Sequence, residues 1–144
     1  MGEALYQKEF IVSGGDFDRA GEVSTAIKSI LKSAGISNPI IRRVAIASYE
    51  TEMNVVIHAY NGKIDLILTP DSVIIECTDV GPGIENIDLA MQEGYSTASD
   101  EMRELGFGAG MGLPNIKRSS DNFEIDSEIN KGTHVKITIH HTTA

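Results

Sequence analysis

The sequence predicts a two-layer α/β sandwich, in which a mixed, mostly antiparallel sheet is covered on one face by helices. Three observations lead there. Short apolar runs separated by turn-type residues come in pairs, and strands joined by tight turns are antiparallel neighbours. Two long segments repeat apolar residues at helical spacing and need an apolar surface to cover. The elements follow the order strand, helix, helix, hairpin, helix, glycine loop, helix, hairpin, within 144 residues. That length fits one domain, residues 1–144, and the 41% hydrophobic content is ample for its core.

Each element has a local justification. Leu5 to Val12, LYQKEFIV, has strand character, and SGGDFDRAGE punctuates the chain after it. Between Ala20 and Ala34 apolar residues stand at 20, 23, 26, 27, 30, 31 and 34, one face of a helix, with Gly35 where a C-terminal cap belongs. The second helix takes Asn38 as its N-cap and Pro39 as its first residue, and continues to about Ala59, where Asn61-Gly62 breaks it. Lys63 to Leu68 and Val73 to Thr78 flank the turn TPDS and form a hairpin. A short helix spans Ile87 to Glu93. The polar stretch GYSTASDEMREL and the glycine cluster follow, and Pro114 lies in the first turn of a helix ending near Ser120. Phe123 to Ser127 and Thr133 to His140, joined by EINKG, make the closing hairpin.

Composition narrows the function. A formal net charge of −9 repels nucleic acid and anionic membrane surfaces, and no Lys/Arg run offers a local exception. One cysteine, no signal-like N-terminus and no long apolar run argue against disulfides, secretion and a membrane span, so a cytoplasmic location is expected. Cys77, in the run SVIIEC, reads as a buried small side chain. Any anionic ligand must therefore be held by local groups.

Three constellations could do so. In YETEMNVVIHAY, Glu50, Asn54 and His58 are spaced by four and share a helix face, whereas Glu52 does not. A carboxylate one turn from an amide can act as a general base beside a ligand for a hard cation such as Mg²⁺. His58, among apolar neighbours near the helix end, reads as a packed or capping histidine. Asp79-Val-Gly81-Pro-Gly83 follows an apolar strand. An aspartate there can accept a hydrogen bond from an exocyclic amine while glycines let the backbone pass close to a flat ring. GFGAGMGLPNIK places Gly106, Gly108, Gly110 and Gly112 directly before a helix N-terminus, whose free amides and dipole attract phosphate. It has neither the P-loop lysine nor the G-x-G-x-x-G spacing. Alone, each pattern also fits something ordinary: a solvated helix face, a turn, a mobile loop.

Together and in this order, Glu50 with Asn54, Asp79-x-Gly81-x-Gly83, Gly110-x-Gly112 and Gly132-Thr133 resemble the N box, G1 box, G2 box and final Gly-Thr element of the GHKL, or Bergerat, ATP-binding fold. The resemblance covers about residues 5 to 140. NVVIHAY, EGYST and GMGLPNIK are similar to segments of the small anti-sigma-factor serine/threonine kinases, in either their sigma-binding or their switch-kinase branch.

The resemblance implies ATP and Mg²⁺ as cofactors. It implies that Asp79 binds the adenine amino group, supported by Thr133, with Gly81 and Gly83 under the base. Asn54 ligates Mg²⁺, and Glu50 activates the attacking hydroxyl. Residues about 94–112 form a lid, and Gly106, Gly108, Gly110, Met111, Gly112 and Leu113 wrap the triphosphate. Arg103 and Lys117 are candidates for phosphate pairing. It also implies that the acceptor is a serine or threonine of a small antagonist protein, with a sigma factor as a candidate second partner and a homodimer as a candidate assembly. The alternative is a nucleotide-gated binding module that makes no phosphoprotein. Two features depart from the pattern: the extra glycines of GFGA, and Glu52 as a second carboxylate near the N box.

Overall fold

The structure, a computed structural model, describes residues 4–84, 86–92 and 112–141. Its elements are β1 (Tyr6–Ser13), α1 (Glu22–Ser33), α2 (Asn38–His58), β2 (Asn61–Leu68), β3 (Ser72–Val80), the single turn α3 (Ile87–Ala90), α4 (Gly112–Ser119), β4 (Asn122–Glu128) and β5 (Gly132–His140). The strands form one sheet in the order β1-β2-β3-β5-β4, and all four pairings are antiparallel. Two helices between β1 and β2 return the chain to its starting side, which is why that pair is antiparallel as well.

Strand alternation gives the sheet two unlike faces. Phe10, Ile64, Cys77, Val135 and Ile125 stand in register across all five strands. Leu66, Ile75, Ile137 and Phe123 form the next row, and Leu68, Val73 and Ile139 another. These rows meet Val23, Ile27 and Leu31 of α1, Val44, Val55 and Val56 of α2, and Ile116 of α4 in one buried core. α2 lies over the sheet between α1 and α4. The opposite face carries Glu9, Asp65, Glu76, Lys136 and Glu124 in one row, and no described helix covers it.

Element ends follow local chemistry. Gly35 has φ +80°, and Ile36 N–H donates to Leu31 O at 3.1 Å while Gly35 N–H reaches Lys32 O, which closes α1 as the sequence predicts. The N-cap of α2 falls one residue before the expected Asn38: Ser37 is the extended residue there, no side chain caps the end, and Pro39 in the first turn has no N–H to leave unpaired. Asn61-Gly62 does not serve as a helix stop but opens β2. A Cβ on Gly62 would lie 2.9 Å from both Val55 methyls, so glycine here lets β2 pass under α2. α3 ends at Ala90; Glu93, the expected last residue of that helix, lies outside the described residues.

Candidate functional site

Asp79 has the strand parity of Val73, Ile75 and Cys77, so it belongs to the helix-covered face at the open end of β3. Gly62 pairs with it across the strands, and a Cβ on Gly62 would lie 3.3 Å from Asp79 Cβ. The glycine that touches Val55 of α2 thus also touches Asp79, and brings the N-box helix down beside the aspartate. Thr133 N–H donates to Asp79 Oδ1 at 3.0 Å, and among the described residues no donor reaches Oδ2. Burial pushes the Asp79 carboxyl above its usual range, and the Thr133 amide opposes this in part.

The wall around Asp79 is built by the β4–β5 hairpin. Gly132 has φ +152°, and a Cβ there would lie 2.0 Å from Asp79 O, so only glycine allows this approach. Gly81 N–H donates to Lys131 O at 3.1 Å. Gly83 has φ +79°, with Glu128 O 2.4 Å from where a Cβ would be. Ser127, which sequence reasoning did not single out, organises the corner. Its Oγ accepts from Ile84 N–H at 2.7 Å, donates to Gly132 O at 3.1 Å and lies 2.8 Å from Thr133 Oγ1. With the Ser127 proton on the Gly132 carbonyl, Thr133 donates to Ser127, and its oxygen is left as an acceptor. Only the pairing of Ser127 with Thr133 in the hairpin register could have pointed to it.

On α2, Glu50 and Asn54 are both half-buried. Asn115 Nδ2 of α4 donates to Glu50 Oε2 at 2.8 Å, a contact across 65 residues that no local pattern marks. Asn54 has no hydrogen-bond partner among the described residues, and a Cβ on Gly112 would lie 3.1 Å from its Oδ1. The first turn of α4 therefore abuts both N-box residues. Desolvation lowers the His58 pKa, in keeping with a packed imidazole. Cys77 is buried and its thiol is pushed up to about 12, by burial first and then by the charges of Asp79 and Asp65, so it is unreactive.

Glu52 has a different task from its neighbours. It is buried, and accepts the N–H groups of Gly21 and Val23 on Oε2 at 3.0 and 3.2 Å and of Ser24 on Oε1 at 3.2 Å. These amides open α1, whose N-cap Gly21 has no side chain to serve them. Burial raises the Glu52 pKa, and the three amides partly offset it.

Leu113 is buried and its side chain is part of the core. Lys117 is exposed on α4. Arg103, Gly106, Gly108, Gly110 and Met111 lie outside the described residues, as does the expected lid apart from Gly112.

A one-sided antiparallel sandwich with an acid-and-glycine corner beside a polar helix face is the layout of a histidine kinase-like ATPase. Residues 15–139 match the family described as histidine kinase-like ATPase domain, and the chain belongs to that family. Among the proteins it resembles is an anti-sigma F factor from Caldanaerobacter subterraneus subsp. tengcongensis, 35% identical over 109 residues, which are 70% of this chain and 73% of the relative. The serine/threonine-protein kinase RsbT of Bacillus subtilis is 29% identical over 113 residues, 76% of this chain and 79% of the kinase. An anti-sigma F factor from Clostridium acetobutylicum is 34% identical over 97 residues, 64% of each chain.

Proposed function

We propose that this chain is an ATP-dependent serine/threonine protein kinase of a cytoplasmic partner-switching system, which phosphorylates a small antagonist protein and regulates a sigma factor or related signalling partner. Residues 1–144 act as a single ATP-binding domain in this reading, and a homodimer is the working form. The observation that carries it is the meeting of Glu50, Asn54 and the N-terminal turn of α4. It is supported by the names of the relatives, which are anti-sigma factors and a serine/threonine kinase.

The residues suit Mg·ATP. Asp79 Oδ2 is open to the adenine amine, the Thr133 oxygen is an acceptor beside it, and Gly81 and Gly83 keep the floor thin. Asn54 offers a side-chain oxygen that no described residue engages. Among the described residues no group of three or more His, Cys, Asp or Glu side chains could hold a metal ion. A cation at Asn54 would be held by a single amide, with phosphate and water completing its shell. When bound, Mg·ATP supplies the γ-phosphoryl group and the charge that neutralises its transfer. Glu50 would accept the proton of the acceptor hydroxyl, Asn54 would hold the metal ion, and Asp79 would hold the adenine base.

The test is incubation with γ-labelled ATP, magnesium and a panel of small antagonist proteins. Label on a serine or threonine is expected. Glu50→Ala should cut transfer by about 10² to 10⁴-fold, while calorimetry finds its ATP affinity unchanged. A nucleotide-dependent complex without label would replace the kinase with a binding module.

A further inference from the structure

We propose that Asn115 is a positioning residue, which holds the Glu50 carboxylate in the orientation that receives the acceptor's proton. The inference rests on the reading of Glu50 as the base.

The geometry defines both ends of the Asn115 amide. Its Nδ2 donates to Glu50 Oε2 at 2.8 Å, and Arg118 Nη2 donates to its Oδ1 at 2.6 Å. A guanidinium only donates and an ionised carboxylate only accepts, so the opposite amide orientation would set donor against donor and acceptor against acceptor. Arg118 thus fixes the amide, and the amide fixes Glu50. A free glutamate side chain samples many rotamers, and ordering one costs conformational entropy. Asn115 meets that cost before any acceptor arrives. It engages Oε2 alone, and among the described residues Oε1 has no partner.

In the transfer step the acceptor oxygen forms a bond to the γ-phosphorus and gives its proton to Glu50. The bond from that phosphorus to the β–γ bridging oxygen breaks with its electron pair on ADP. A base displaced by 1 Å can cost as much as roughly 10²-fold in rate, so a single donor to one carboxylate oxygen matters. The same short helix places Gly112 against Asn54. α4 therefore sets the base through Asn115 and borders the cation ligand through Gly112.

Two experiments test this. In side-chain amide NMR, the Asn115 Nδ2 protons, assigned by their loss in Asn115→Ala, should shift in Glu50→Ala and stay in place in Glu124→Ala, a control on the uncovered sheet face. In phosphotransfer, Asn115→Ala and the isosteric non-donor Asn115→Asp should both lower kcat about 10 to 100-fold, with KM for ATP unchanged. Asn115→Ala should have no further effect in the Glu50→Ala background. A packing role would spare Asn115→Asp and would not depend on Glu50. Unchanged kcat in both variants, unmoved amide protons, or additive effects in the double variant would each overturn the proposal. Full transfer by Glu50→Ala would instead overturn the reading of Glu50, and this inference with it.

Discussion

Asp79 shows how a single residue ties stability to function. Burial raises its pKa, so the folded protein binds the Asp79 proton to a higher pH than the unfolded chain does. Ionising Asp79 therefore costs stability: the cost is absent below the unfolded pKa and complete above the raised folded one. Under the proposed function nucleotide binding has the opposite sign, because an adenine amine held by Asp79 would need the ionised acceptor. ATP affinity, followed by calorimetry at falling pH, should start to drop above the usual aspartate range. Asp79→Asn should lose about 10-fold or more in affinity, since its amide would face the amine donor to donor. Its melting temperature at pH 7 should equal or exceed that of the wild type. The aspartate and its glycines were legible as a motif; Ser127 was not, because its partners Ile84 and Thr133 reach it only through the fold.

At the scale of elements, α1 depends on α2 for its first turn. Gly21 supplies no cap, and Glu52 does so from 28 to 31 residues away. Glu52→Ala should destabilise the protein by at least about 1–3 kcal/mol in denaturant unfolding, because buried amides lose their acceptor. Glu52→Gln, which keeps one oxygen, should lose less. Neither should alter ATP affinity in the folded protein, since Glu52 faces α1 and not Asp79 or Asn54. The sequence presented this residue only as a surplus carboxylate near the N box. Its burial could not be read locally, because helical periodicity states which residues share a face and not what covers that face.

For the whole molecule, the sheet face that no described helix covers carries Glu9, Asp65, Glu76 and Glu124 in one row with Lys136. The proposed nucleotide corner around Asp79 lies on the other side, so binding there should stabilise the packed layers. Mg·ATP at 100 times its dissociation constant should add about 2.7 kcal/mol. That raises the melting temperature by roughly 5–10 °C for a domain of this size. Thermal melts with and without nucleotide check this, and Asp79→Asn should show a smaller shift at the same concentration.

Local order determined much of this protein by itself. Alternation and helical spacing set the strands and helices to within a few residues, Gly35 closed α1, and the N-box spacing placed Glu50 and Asn54 on one face. Tertiary structure alone decided what those faces meet. It turned Asn61-Gly62 from a helix stop into the contact between β2 and α2, made Glu52 a cap, and joined Asn115 to Glu50. The reason is physical: periodicity is a property of one segment's own backbone, whereas a hydrogen bond across 65 residues exists only once packing has brought two helices side by side.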